Sequence, residues 1–506
     1  MTKTHLGDWR TRVIYAIWGR SKFRCHEILF TLLTRGHAVD PVQARALRIL
    51  KSARRMLLRY PQAHHTWWAV MRVRQQRGSR IMAGPVNQFL WALRQMDWRI
   101  VTDREQFHVI THEGDELDFL QCDQEFLEHA MREGLRFALW KQGAARRDDM
   151  RGAEVGIDRN TSMKLLGKLR GRERRMLQRI LIGSVVSRER AYRARWQAHP
   201  TCLFCNAAEE TVEHIFCHCP KWAHLRAAEL QDEALPACTR LMGLAVENPQ
   251  LRVFERSVGQ AIYHVLPYDH SVENDRLESR DEQGRVIVFT DGACKRQGKH
   301  PRLRCAGIGV FFGSAHHPAN VSTPLMGRVQ TNQRAELQAV VTAAARDHRH
   351  LHIKTDSAFV VGGFERFAQW QASGWQGSHG DLWAQLQVML ESAPGRLHIS
   401  KVKGHASWLD VRMGRSTLAD KTGNDAADKL AVAGSNQHPA AIVLQRQCEE
   451  ASEKCSRVQR SLLDIALARE EALRNMPEEA MPPPPPLPRR HRFRPVDDGR
   501  RRRRLR

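Results

Sequence analysis

From Arg285 to about Gly434 the chain alternates short runs of β-branched and aromatic residues with stretches at helical spacing. That alternation admits few folds, all of them a sheet with helices packed on its faces. Arg285-Val-Ile-Val-Phe-Thr-Asp291-Gly reads as a buried strand ending in Asp, with a glycine permitting close approach at its end. Ala306-Gly-Ile-Gly-Val-Phe-Phe312 reads as the next strand of a meander, and 321–327 as a third. Thr331-Asn332-Gln333-Arg334-Ala335-Glu336 opens a helix running through Val340 and Ala345, which puts Glu336 in its first turns. Leu351-His-Ile-Lys-Thr-Asp356 is another strand ending in Asp, and Val402-Lys403-Gly404-His405 closes one more. Gly423-Asn424-Asp425-Ala426-Ala427-Asp428 starts a helix with Asp428 one turn in, and 407–422 reads as a loop.

Taken singly, an Asp at a strand end is more often a cap or a turn residue than a functional one. In this order, however, Asp291, Glu336, Asp356 and Asp428 can converge above the middle of one sheet. Four carboxylates packed together repel one another and are tolerated at neutral pH only when cations neutralise them. Hard oxygen ligands select Mg²⁺, with Mn²⁺ as a substitute. Two such ions about 3.5–4 Å apart can activate a water and stabilise the leaving oxygen in phosphodiester cleavage.

Asp291 in Thr-Asp-Gly-Ala, Glu336 in Thr-Asn-Gln-Arg-Ala-Glu-Leu, Asp356 in Thr-Asp-Ser, His405 in Lys-Gly-His-Ala and Asp428 in Gly-Asn-Asp-Ala-Ala-Asp together resemble the type 1 ribonuclease H family over about 150 residues. The resemblance implies an α+β, ribonuclease H-like mixed five-stranded sheet flanked by helices. It also implies that Asp291, Glu336, Asp356 and Asp428 hold two Mg²⁺ ions, and that water attacks the RNA phosphate of an RNA–DNA hybrid to leave a 5′-phosphate and a 3′-hydroxyl. His405 would assist proton transfer or product release. Asn332 and Gln333 would read the minor groove, where the 2′-hydroxyl marks RNA, and Thr331 would help bind a DNA phosphate. Three departures stand out. The stretch between His405 and Asp428 is longer than in compact members, Val329 stands where a phosphate-pocket arginine is expected, with Arg328 beside it, and Trp370 and Trp375 sit in a segment whose only base is Arg366.

Upstream, Cys202-Leu-Phe-Cys205, His214 and Cys219 have the spacing C-x2-C-x8-H-x4-C. Two thiolates from a turn and a His and Cys from a following helix make a tetrahedral zinc site, and such a site organises a module too small to hold a core alone. Cys217 and His218 flank Cys219, so the fourth ligand is open, with spacing favouring Cys219. The string resembles the zinc-binding region that follows the polymerase in non-LTR retrotransposon reverse transcriptases, which implies a structural or nucleic-acid-binding role. The polymerase signature itself is absent: the Asp148-Asp149 pair follows Arg146-Arg147 in a polar run, which leaves room for a separate polymerase partner.

The remaining sequence partitions around these motifs. Residues 1–159 read as mostly helical and of unknown role, including an acidic stretch from Glu113 to Glu128 expected to be a solvated helix face or loop. Residues 160–250 carry basic amphipathic helices and the zinc knuckle, and 267–284 read as a linker. Residues 285–435 form the ribonuclease H domain, 441–475 a long helix, and 476–506 a disordered Pro/Arg-rich tail. Of 506 residues 80 are Lys or Arg and 55 Asp or Glu, a net charge of +25 spread along the whole chain, which suits a polyanion partner. No apolar run approaches the ~18 residues that would span a bilayer. The start, Met1-Thr2-Lys3-Thr4-His5, lacks a secretory core, so the eleven cysteines are expected to be reduced or metal-bound. The expected location is intracellular, nuclear if the arginine tail acts as an import signal and otherwise cytoplasmic. The expected function is an RNA–DNA hybrid endoribonuclease of retrotransposon origin, the alternative being an inactive nucleic-acid-binding remnant of the same fold.

Overall fold

The computed structural model describes residues 26–33, 40–77, 84–259, 266–268, 276–296, 300–372, 374–375 and 377–477. The expectations for the extreme N-terminus and for the tail beyond 477 lie outside the described residues.

Helices α1 (Pro41–Arg59), α2 (Ala63–Arg77), α3 (Pro85–Arg94) and α4 (Gln124–Ala144) surround a three-stranded antiparallel meander of β1 (Arg99–Ile100), β2 (His108–Ile110) and β3 (Glu116–Asp118). α1 starts where Asp40 accepts a hydrogen bond from the Val42 nitrogen ahead of a proline at the first helical position. It buries Ala46, Leu47, Leu50, Ala53 and Leu57, a spacing of one helix face, against Trp67, Phe89, Phe107 and Phe119.

Three basic helices, α5 (Arg159–Lys168), α6 (Gly171–Leu181) and α7 (Arg188–Arg193), come next. The apolar sides of α5 and α6 are internal: Leu165, Leu177, Ile180 and Leu181 share a core with Phe216 and Trp222 beside the Cys/His cluster. The short α8 (Ala237–Met242) and α9 (Gln250–Gly259) follow. The last helix, α16 (Ile442–Arg474), returns to this unit and inserts Val458, Leu462 and Ile465 into the same core. Several of the bases here have partners inside the chain, including Arg172 with Glu470 and Arg190 with Asp149.

The five-stranded sheet has the order β6-β5-β4-β7-β8 in space, built from β4 (Val286–Arg296), β5 (Arg304–Phe311), β6 (Val321–Pro324), β7 (Leu351–Thr355) and β8 (Leu397–Lys401). β4, β5 and β6 pair antiparallel as a meander, whereas β4–β7 and β7–β8 pair parallel. Alternation along β4 sorts its side chains. Val286 and Val288 pack with α10 (Asn332–Arg346) and α13 (Gly380–Ser392), which the short α11 (Ala358–Glu365) and α12 (Phe367–Ala372) separate in sequence, while Phe289 packs with Ala427 of α15 (Leu418–Ser435) on the opposite face. Gly307 and Gly309 of β5 lie under the backbone of α15, where any Cβ would overlap it. The Ala-Gly-Ile-Gly-Val pattern therefore lets helix and sheet meet without intervening side chains.

The structure corrects the expected boundaries at four places. β4 does not end at Asp291 but continues to Arg296, because β5 keeps pairing with it after β7 has stopped. The expected 407–422 loop contains α14 (Trp408–Arg412), closed by a capping box between Ser407 and Asp410, and the first turn of α15 capped by Thr417. Asp428 consequently lies mid-helix rather than one turn from a start. In the expected linker, Arg280 bridges to Val286 and the fully buried Glu278 carboxylate pairs with Arg349, so that part is folded onto the sheet. Finally, Glu113 and Asp115 are not solvated: on the β2–β3 turn they meet Arg252, Arg256, Arg302 and Arg328.

Candidate active site and Cys/His cluster

The parallel ladder between β4 and β7 ends at the pair Thr290 and Thr355. Asp291 and Asp356 are the next residue of each strand, so both aspartates emerge side by side where the sheet splits. Glu336 joins them from the first turn and a half of α10, and one carboxylate oxygen from each of the three lies within 4.8 Å of the others. The first turn of α10 is set by Thr331, whose hydroxyl caps the Arg334 nitrogen at 3.3 Å. Arg334 also forms a two-pronged bond to Asp381 of α13, at 2.9 and 2.6 Å. Glu336 is held by hydrogen bonds to its two oxygens, from the Asn332 amide at 2.6 Å and from the Ser357 hydroxyl.

Burial, with the neighbouring Asp356 charge and then those of Asp428 and Glu336, pushes the Asp291 carboxyl up to about 8. Burial, then Asp356, also raises Glu336, against the opposing hydrogen bond from Ser357. Among the described residues no Lys or Arg pairs with Asp291, Glu336 or Asp356. An all-oxygen donor set that no protein cation neutralises fits a hard divalent ion. Asp428 lies outside the 4.8 Å group, though near enough for its charge to act on Asp291.

His405 stands exposed on the turn after β8, in a left-handed conformation with φ of 47°. The preceding Gly404 passes against the Asp356 carboxylate so closely that a Cβ there would collide with it, so the His405 turn sits beside the cluster despite the longer segment that follows. Thr331 is half-buried, and Asn332 and Gln333 are exposed at the same helix end. Trp370 and Trp375 are partly buried against the core, with Trp370 edge-on to Trp383 at 5.3 Å between ring centres. Arg328 is engaged by Glu113, Asp115 and Glu255. Sequence reading missed Ser357 and Gly404, though both adjoin motif residues.

Cys202, Cys205, His214 and Cys219 form a second cluster, their ligand atoms all within 4.8 Å. The Cys202 and Cys219 sulfurs are 3.9 Å apart, and Cys205 Sγ is 3.3 Å from His214 Nε2. Three sulfurs and an imidazole nitrogen at these separations match the donor set of a structural zinc site. The neighbours that competed for the fourth position point elsewhere: Cys217 is buried in the surrounding core and His218 is exposed.

A five-stranded sheet of this order, with carboxylates gathered where its parallel half ends, defines the ribonuclease H-like class of fold. Consistent with this, the family described as RNase H matches residues 283–436, and the one described as zinc-binding in reverse transcriptase matches 168–225. Ribonuclease H of Marinobacter nauticus is 31% identical over 157 residues, spanning 29% of this chain and 97% of that protein. Ribonuclease H1 of Mus musculus is 37% identical over 161 residues, 30% of this chain and 50% of that protein. A solved PFV RNase H domain is 25% identical and covers 30% of this chain and 93% of that chain, with a TM-score of 0.23. Through this domain the chain belongs to the ribonuclease H family, and it spans about half the length of the mammalian relatives it matches. No helix among the described residues is long and apolar enough to cross a membrane.

Proposed function

We propose that the chain is an endoribonuclease that hydrolyses the RNA strand of RNA–DNA hybrids, and that it derives from a non-LTR retrotransposon. The observation that carries the reading is the convergence of Asp291, Glu336 and Asp356 at the end of the parallel ladder. Its origin is supported by the occurrence of the zinc-binding reverse-transcriptase region and the RNase H region in one chain.

Two Mg²⁺ or Mn²⁺ ions, held by Asp291, Glu336, Asp356 and Asp428, would neutralise the carboxylates and supply the Lewis acidity for phosphodiester hydrolysis. The chain's own groups do the positioning. Ser357 and Asn332 fix the Glu336 carboxylate by one hydrogen bond to each oxygen. His405, exposed beside Asp356, carries a proton to or from the cleaved phosphate. Thr331, Asn332 and Gln333, at the exposed end of α10, face the duplex. Zn²⁺ on Cys202, Cys205, His214 and Cys219 serves as a structural tie for the basic helices.

The test is cleavage of an RNA–DNA duplex in Mg²⁺ by the intact chain and by Asp291→Asn. Product from the intact chain alone is expected. Equal product from both, or none from the intact chain in Mg²⁺ and Mn²⁺, would overturn the reading.

A further inference from the structure

Between the N-terminal unit and the ribonuclease H domain runs a cleft of about 710 Å³, with Thr331 and Gln333 of the α10 end among its lining and Arg132 and Arg136 of α4 on its wall. Acids face it too, but most are committed. Glu133 pairs with Arg136, Glu247 and Glu255 with Arg302, and Glu128 with Lys51, while Asp158 caps α5 through the Thr161 nitrogen. Glu125, in the first turn of α4, remains in the lining as well.

Three guanidiniums stand largely outside these pairs. Among the described residues the Nε of Arg159, the first residue of α5, is buried with no hydrogen-bond partner. Among the described residues no ion pair reaches Arg159 or Arg304. Arg132, among the described residues, touches an acid only through Glu128, at 3.8 Å. Arg136 lies close enough to Arg159 for the two charges to repel, and Glu133, already bonded to Arg136, is near enough to offset part of that repulsion without pairing with Arg159. A half-buried cation with an unsatisfied donor is costly. A phosphodiester supplies what is missing, because its two non-bridging oxygens accept the guanidinium fork.

We propose that this cleft extends the duplex-binding track beyond the ribonuclease H domain, with Arg159, Arg304 and Arg132 contacting backbone phosphates of the hybrid where it leaves the α10 end. The inference rests on the hybrid-ribonuclease reading, and it gives the N-terminal unit a role: it supplies one wall of the track. A duplex too short to leave the domain cannot use it.

The test uses the full chain in Ca²⁺, without turnover, binding labelled RNA–DNA hybrids of 10 and 30 base pairs over a salt series. Each lost phosphate contact lowers the slope of log affinity against log salt by about 0.9. Arg159→Gln/Arg304→Gln is expected to weaken binding of the long hybrid roughly tenfold and reduce its salt slope by about 2, with the short hybrid unaffected. Should that double variant melt early, Arg304→Gln and Arg132→Gln, made singly, are expected to lower the slope by about 1 each. Long-hybrid affinity and slope equal to those of the unaltered chain, or equal losses on both lengths, would overturn the track. Failure of the underlying reading shows separately, as no cleavage of either hybrid by the unaltered chain in Mg²⁺.

Discussion

Gly292 of β4 lies against the backbone nitrogen of Glu336 on α10, so close that a Cβ at position 292 would approach it to well under 3.0 Å. This contact is what lets a helix carboxylate reach the strand carboxylate of Asp291 next door. Gly292→Ala must push α10 and β4 apart. The expected result is a stability loss of about 1–3 kcal/mol and a fall in hybrid cleavage of about 100-fold, the order expected for a displacement of about 1 Å. Thermal unfolding and single-turnover cleavage measure both, and an unaltered rate would show that the close approach is dispensable.

Asp291 ties stability to pH. Its carboxyl is pushed from 3.8 up to about 8 by burial first and by Asp356 next. Between those values the cation-free folded chain keeps a proton that the unfolded chain has released, so this group lowers stability as pH rises from about 4 to 8. A divalent ion competes with the same proton, and its affinity rises over the same window. In chelator, the melting temperature of the unaltered chain should decline towards pH 8 relative to that of Asp291→Asn, and Mg²⁺ should restore it. Parallel curves for the two proteins would contradict this.

For the Cys/His cluster, Cys202→Ser should lose one bound zinc per chain and melt early, because metal binding contributes directly to folding. Cys217→Ser should keep its zinc, since Cys217 is buried in apolar surroundings and its thiol is raised to about 11 by that burial. Metal analysis of the two purified variants decides, and loss of zinc from Cys217→Ser would reassign the fourth ligand.

Arg302 joins α9 and the N-terminal turn to the ribonuclease H domain through Glu247 at 2.8 Å, Glu113 at 3.5 Å and Glu255. Arg302→Met leaves three largely buried carboxylates short of a partner, and a loss of about 3 kcal/mol in denaturant unfolding is expected. Arg72→Gln, which breaks an exposed pair with Glu105, should have little effect. Similar losses from both variants would mean that burial of the network adds nothing.

The α16 contact offers a further check on domain coupling. Leu462 is fully buried in the core shared with α6 and the Cys/His cluster. Leu462→Ala should cost about 2–5 kcal/mol and loosen zinc as well as the helix. Zinc retention unchanged through partial unfolding would separate the two.

Chemistry carried by neighbours in the chain was legible without the fold. The strand and helix periods at 285–435, the carboxylates Asp291, Glu336 and Asp356 at fixed offsets from them, and the C-x2-C-x8-H-x4-C spacing are local, so they could be read directly. Features that depend on partners far away in sequence emerged with the folded chain. The antiparallel partner β5 carries β4 past Asp291. Arginines from three later segments turn the acids at 113 and 115 from a solvated stretch into a buried tie, and α16 leaves its neighbouring domain to close the core beside the cysteines. No local pattern encodes which distant surface a charge or an apolar face will meet, because that choice is made by burial and charge compensation summed over the folded whole.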